Sequence, residues 1–375
     1  MMNFNALTAL LDRLPQEAGI PGADCVVYHH RKEVYRHQSG YSDIAAKKPV
    51  ETDVLYNVYS ASKLVTCVAA LKLYEQGYFL LTDPLYEYIP EFKTMKIKEN
   101  GFVSQAKNDI VIRDLFTMTA GFSYDIKSPS LLAVKKETEQ RCPTLEVVRA
   151  LAKEPLLFEP GSRWYYSLCH DVLGGLVEVV SGKTLEEYCR ENIFEPLHMN
   201  DTSYFMDEDK EKRLAPMYLF NEEKEVAEPI SNHNIFRFGS EYASGGAGIV
   251  SSVSDFIKLA DCLCAGGKTI TGEHILGGNT IDLMRKNHLH SDGIREFGWN
   301  HMPGYGYGLG VRTMVDPVAG GSNGPVGEFG WGGAAGAYVL IDPDNELAVC
   351  YAQHMLTSKE EYIHRRIRNT VYGCL

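Results

Sequence analysis

Ser60-Ala61-Ser62-Lys63-Leu64-Val65-Thr66-Cys67-Val68-Ala69-Ala70-Leu71 is the stretch on which the reading of this chain turns. It predicts a helix over 60–77: Ser60 stands at its start, Leu64, Val65, Val68, Leu71 and Leu73 supply an apolar set, and Gly77 sits where a C-terminal stop belongs. A lysine three residues after a serine shares its helix face. A serine hydroxyl is a weak nucleophile until a base takes its proton, and a partly desolvated lysine amine can lose its charge and become that base. The exposed N–H groups of a first helical turn also favour a developing oxyanion. From spacing alone the pair fits equally an N-cap serine followed by a surface lysine. Ser104 and Lys107 repeat the spacing within a polar loop, where it carries nothing.

Outward from this helix, Ala23 to His29 and Lys32 to Gln38 alternate, are rich in Val and Tyr, and read as a hairpin. Residues 92–109 are polar and read as a surface excursion. Ile112 to Met118, Leu145 to Lys153, Asp171 to Val180, Leu185 to Ile193, Val253 to Cys264 and Thr280 to Lys286 read as helices, and 206–228 as a charged loop. After about residue 300, Gly304 to Val311, Ala337 to Ile341 and Leu347 to Gln353 read as strands, and Tyr362 to Tyr372 as a terminal helix. Strands at both ends and helices between them predict an α/β (α+β) chain. The expected division is a discontinuous α/β domain of residues 1–75 and 295–375, interrupted by a mainly helical domain of residues 76–294. A cleft between the two is the expected place for a site.

The 375 residues include 49 acidic against 37 basic side chains, a net charge of −12, which excludes the basic patches that nucleic acid or an anionic membrane requires. No run long and apolar enough for a transmembrane helix is found; Leu64 to Leu81 is broken by Lys72 and Glu75. Asp12, Arg13 and Glu17 do not suit a signal peptide. Nine scattered cysteines predict buried free thiols in a reducing cytoplasm. His288 and His290 lack acidic or thiol companions, so no metal and no cofactor is expected. Nothing in the sequence sets the oligomeric state.

Two further stretches carry potential chemistry. In Glu159-Pro160-Gly161-Ser162-Arg163-Trp164-Tyr165-Tyr166-Ser167 a turn delivers tyrosines toward a helix, and a tyrosine beside a lysine can relay a proton; two packed core tyrosines fit as well. In Gly330-Trp331-Gly332-Gly333-Ala334-Ala335-Gly336 small residues let a substrate lie against an edge strand.

Taken together, and with Thr82-Asp83-Pro84, Thr119-Ala120-Gly121, Ile193-Phe194-Glu195-Pro196-Leu197-His198-Met199, Gly245-Gly246 and Gly306-Tyr307-Gly308-Leu309-Gly310, these stretches resemble the serine β-lactamase and penicillin-binding-protein superfamily along nearly the whole chain. The likeness is to its class C β-lactamase and family VIII carboxylesterase branch. The resemblance implies a β-lactamase-like fold, a central antiparallel sheet flanked by helices with an inserted helical domain. It implies Ser60 as the acylated nucleophile, Lys63 as its partner base, Tyr166 sharing proton transfer, and the N–H groups of Ser60 and Ala334 as the oxyanion hole. Trp331-Gly332-Gly333 stands where β-lactamases carry Lys-Thr-Gly, and Leu168 where the family has a substrate-binding asparagine. His170, two residues on, either faces the cleft or lies on the surface. No Lys-Thr-Gly exists, and between His301 and Ser358 the only cation is Arg312. The implied substrate is a small-molecule ester, lactam or amide. The missing cationic anchor favours an uncharged ester; a weak β-lactamase, a D-amino-acid peptidase and a non-catalytic binding protein remain as alternatives.

Overall fold

Gly22–His29 (β1) carries Cys25, Val26 and Val27 in its middle, and all three are fully buried. A strand with both faces covered must sit at the centre of a sheet, and in the computed structural model, which describes residues 2–375, it does. The other strands are Lys32–Asp43 (β2), Lys48–Pro49 (β3), Tyr305–Tyr307 (β4), Arg312–Met314 (β5), Phe329–Gly330 (β6), Tyr338–Asp342 (β7) and Leu347–Gln353 (β8). The sheet order is β4-β5-β6-β7-β8-β1-β2-β3, antiparallel throughout, with Val26 opposite Cys350 on one side and Arg36 on the other. Strands from both ends of the chain therefore share one sheet.

Alternation along the strands sends successive side chains to opposite faces. Val26, Val339, Ile341, Ala348 and Cys350 point into the larger core with the Val253–Cys264 helix. Val27, Leu340, Leu347 and Val349 pack against the terminal helices Asn5–Glu17 and Glu360–Cys374. Ser252 caps the Val253–Cys264 helix by accepting the Asp255 N–H.

The intervening chain is mainly helical. The Ser62–Glu75 helix is buried on almost every side, which is why its apolar residues show no single stripe. Gly77 adopts a left-handed φ of +76° just past its end, as its position in the sequence implies.

Several expectations need correction. The expected Gly304 to Val311 strand is only β4 at Tyr305–Tyr307; Gly308 and Gly310 then turn the chain into β5, which starts at Arg312. Residues 92–109 contain a hairpin, Lys96–Glu99 with Phe102–Gln105; Ser104 lies on its exposed strand. Residues 206–228 hold a helix, Glu208–Arg213, capped by Asp207, and a hairpin of Tyr218–Asn221 with Val226–Pro229. These elements are largely exposed and lack the apolar periodicity that reveals buried ones. The Pro129–Glu137 helix was also not foreseen.

All nine cysteines are buried and unpaired. No helix among the described residues is long and apolar enough to cross a membrane, and none of their His, Cys, Asp and Glu side chains form a group of three able to hold a metal ion.

Candidate active site

The segment Tyr56–Asn57 pairs with Val250–Ser251, and the chain then reverses at Tyr59, whose φ of +44° is left-handed and uncommon for a bulky residue. This strained corner corrects the expected helix start. Tyr59–Ala61 forms a 3-10 turn, and the α-helix begins at Ser62. Ser60 is thus not an N-cap; it projects from the turn at the mouth of a cavity.

Lys63, one turn on, is fully buried. Its Nζ donates to Ser60 Oγ at 3.3 Å and to the Gly246 carbonyl at 2.7 Å, and lies 4.6 Å from the Tyr166 ring centre. Burial works against the ammonium, but Tyr124, Tyr166 and Asp171 outweigh it and hold Lys63 above its ordinary range. Desolvation, which favours the neutral amine, is thus opposed by the oxygens that surround it.

Tyr124 was not singled out in the sequence. Its ring lies 5.4 Å from that of Tyr166 and 5.8 Å from Lys63 Nζ, and burial keeps its proton in place. Nothing local distinguishes it from the other tyrosines of the chain, which number 22 in all; only the fold brings it to Ser60.

The opposite lip is the stretch 330–336. Gly332 bridges to Tyr338, and the Gly333 N–H donates to the Ala337 carbonyl at 2.8 Å, bending the chain after Trp331. A Cβ on Gly333 would lie 2.1 Å from the Val58 carbonyl oxygen, so only glycine permits this backbone to approach the Ser60 turn. Ala334 is exposed at the cavity wall, and no group among the described residues accepts its N–H. Gly333→Ala is expected to push the two lips apart and lower kcat/KM for an ester by about 100-fold, the scale of a 1 Å misplacement. Melting temperature measured alongside separates this from unfolding.

The cavity between the lips is about 170 Å³ and is lined by Ser60, Tyr166, Trp331, Gly332, Gly333 and Ala334. Its walls are aromatic: Tyr166 stacks on Trp331 at 5.9 Å and meets Trp299 edge-on at 5.2 Å, and Trp299 stacks on His301 at 5.5 Å. The far end is polar, which the expected apolar wall did not include. Arg312 lines it but is committed to the Val339 carbonyl at 2.8 Å and to Glu328 at 3.4 Å. Glu360, His364 and Arg365 reach it from the last helix. Burial, with Glu361 adding, pushes Glu360 up to about 7; burial, with Arg312 adding, pushes His301 down to about 4.

Two expected participants are elsewhere. Leu168 is buried in the apolar core and does not line the cavity. His170 is neither at the surface nor in the cleft. It is fully buried behind Lys63, its Nε2 donating to the Phe116 carbonyl at 3.2 Å, and burial drives it down to about 3. The helix start that carries both, Cys169–Ser181, packs on the Ser62–Glu75 helix and turns these side chains inward.

A family model described as Beta-lactamase matches residues 7–371. Protein Rv1367c of Mycobacterium tuberculosis is 28% identical over 362 residues, 93% of this chain and 90% of that protein. Esterase EstB of Burkholderia gladioli is 28% identical over 356 residues, 90% of this chain and 86% of that protein. Among solved structures, EstCE1, a hydrolase with promiscuous acyltransferase activity, superposes with a TM-score of 0.80 at 26% identity over 97% of both chains. Simvastatin synthase LovD of Aspergillus terreus shares the fold, with a TM-score of 0.83 at 22% identity over 100% of this chain and 99% of that one. The match runs from the first helix to the last and takes in every segment that lines the cavity, so the chain belongs to the β-lactamase family and is a serine hydrolase with esterase and acyltransferase relatives.

Proposed function

We propose that the protein is a carboxylesterase for small acyl esters, acting through an acyl-enzyme on Ser60. The observation that carries this reading is the contact of Ser60 Oγ with Lys63 Nζ at the mouth of an aromatic cavity. The names of esterase EstB and the hydrolase EstCE1 support it.

In this mechanism Ser60 Oγ attacks the ester carbonyl carbon. Its proton passes to the Lys63–Tyr166 pair, which acts as a unit one proton short: to the lysine amine when the tyrosine is a phenol, or to the tyrosine phenolate when the lysine holds the pair's proton. The Ser60 and Ala334 N–H groups receive the oxyanion. The alkoxide leaves with the proton that the pair returns, giving the acyl-enzyme and a free alcohol. Water, deprotonated by the same pair, then releases the acid. An alcohol in place of water gives acyl transfer, a second reading that the apolar walls at Trp299 and Trp331 favour.

The stretch 329–336 that carries Trp331 has no cation, and Arg312, paired with Gly330, is bound to Glu328, so a β-lactam carboxylate lacks its anchor there. Kinetics on p-nitrophenyl acetate, butyrate and hexanoate beside nitrocefin test the proposal. The short esters are expected to be turned over with a kcat/KM at least about 100-fold above that of nitrocefin. Preference for nitrocefin, or for a D-alanyl peptide, overturns it. The nine buried unpaired thiols support a reducing, cytoplasmic setting.

A further inference from the structure

Asp171 is the third residue of the Cys169–Ser181 helix and is buried. A carboxylate in a first helical turn ordinarily faces water and the helix N-terminus. Here Oδ1 instead accepts the Tyr242 hydroxyl at 2.7 Å, the Ser244 hydroxyl at 2.6 Å and the Gly246 N–H at 3.4 Å. The Ser244 oxygen in turn accepts the Ala247 N–H at 3.1 Å. That N–H belongs to the peptide whose carbonyl, Gly246 O, accepts Lys63 Nζ at 2.7 Å.

An unbroken chain thus runs from ammonium to carbonyl, through one peptide group to its N–H, to a hydroxyl and on to a carboxylate. Each link polarises the next in the same sense, which strengthens all of them in a dry interior. The packing is built around this path. A Cβ on Gly246 would lie 2.5 Å from Asp171 Oδ2 and 3.4 Å from Lys63 Nζ, and one on Gly245 would lie 2.3 Å from the His170 carbonyl oxygen. Two consecutive glycines let the segment slide between the helix start and the lysine.

The other titratable groups around the two ends leave Asp171 as the one carboxylate. Tyr124 and Tyr166 face Lys63 from the cleft side, and Cys67 and His170 from behind. Tyr242 and Cys169 surround Asp171. Burial raises both thiols, Tyr124 and Tyr242, and lowers His170, so each of these is held neutral. Asp171 has no salt bridge to any described residue. A buried carboxylate and a buried ammonium, each without a direct ionic partner, offset one another's desolvation.

We infer that Asp171 is a positioning residue: the buried counter-charge of Lys63, joined to it through Ser244 and the Gly246–Ala247 peptide, with no contact to substrate. The inference rests on the reading of Ser60 as nucleophile.

The test is the rate at which a fluorophosphonate probe modifies Ser60, followed by mass spectrometry across pH, in the wild type, Asp171→Asn and Ser244→Ala. Asparagine keeps the shape and removes the charge, which lowers the proton affinity of Lys63. The limb of the profile set by Lys63 therefore moves to lower pH, by roughly one unit, and the maximal rate falls roughly tenfold. Ser244→Ala keeps the carboxylate but cuts the path, giving a smaller shift in the same direction. KM for a p-nitrophenyl ester stays within about twofold, since neither side chain touches substrate. Profiles that superimpose on the wild type overturn the inference. So does a rate that falls only in proportion to the folded fraction, with both limbs unmoved. If Asp171→Asn does not fold, the limb shift in Ser244→Ala decides alone. A wild-type Ser60 that takes no label refutes the nucleophile reading instead, so the two failures are distinguishable.

Discussion

Replacing Ser60 by alanine is expected to lower ester turnover by roughly 10⁴-fold or more, because the covalent route disappears and only binding and the oxyanion N–H groups remain. The fold has little reason to change. The Ser60 hydroxyl accepts one weak bond from Lys63, and Lys63 keeps its stronger bond to the Gly246 carbonyl. Alanine fits the 3-10 turn, and the backbone N–H of residue 60 stays where it is. Steady-state kinetics on p-nitrophenyl butyrate check the loss, and unchanged melting confirms that it is chemical. Equal turnover by wild type and variant would remove Ser60 from the mechanism. Retained binding of an uncleaved ester analogue is the companion result, since the aromatic walls do not depend on the hydroxyl.

The second large effect is on stability and lies at the polar end of the cavity. Glu328 is fully buried; it accepts the Tyr305 hydroxyl at 2.7 Å and pairs with Arg312 at 3.4 Å. Arg368 donates to the same Tyr305 hydroxyl at 3.0 Å. Glu328→Ala leaves two buried guanidinium groups sharing no carboxylate. Removing one partner of a buried pair typically costs about 3–5 kcal/mol, more than the pair itself is worth. Urea unfolding, compared at constant slope, is the measurement. Burial holds the Glu328 carboxyl above its ordinary range against the pull of Arg312, so the isosteric, uncharged Glu328→Gln is expected to cost less than Glu328→Ala. Adding Arg312→Met to Glu328→Gln is expected to recover part of the loss. A cost below about 1 kcal/mol for Glu328→Ala would show that the pair is not structurally important.

Much of this architecture is legible in one dimension. Alternation in 23–29 and 32–38 and the turn-bounded apolar runs at 337–341 and 347–353 mark the central strands, and the apolar run after Ser60 marks the buried helix. Ser60 and Lys63 are readable as a pair because their proximity is local, three residues on one helical turn. What was not legible depends on partners far away in the chain. Tyr59 carries no sign of its left-handed backbone, which results from the pairing of Tyr56–Asn57 with Val250–Ser251 on one side and the Ser62–Glu75 helix on the other. The groups that oppose the desolvation of Lys63, Tyr124 and Asp171 among them, lie 61 and 108 positions onward in the sequence. Arg365 reads as part of an ordinary terminal helix and Glu360 as lying just before it; both become cavity wall only because the helix, which starts at Glu360, packs under β7. The direction of Leu168 and His170 is set likewise by helix packing, which overrides the motif position that suggested a cleft.

The aromatic wall has an optical consequence. The chain has three tryptophans in one cluster: Trp299 and Trp331 line the cavity 6.2 Å apart, and Trp164 packs behind them, 5.4 Å from Trp299. At such separations excitation migrates freely among indoles, so the three behave as one emitter. Light absorbed by any tryptophan of the protein is therefore re-emitted from one cluster, two of whose members form the wall of the cavity that holds Ser60. Intrinsic fluorescence is a report from the cleft rather than an average over the fold, and occupancy can be titrated with no label attached.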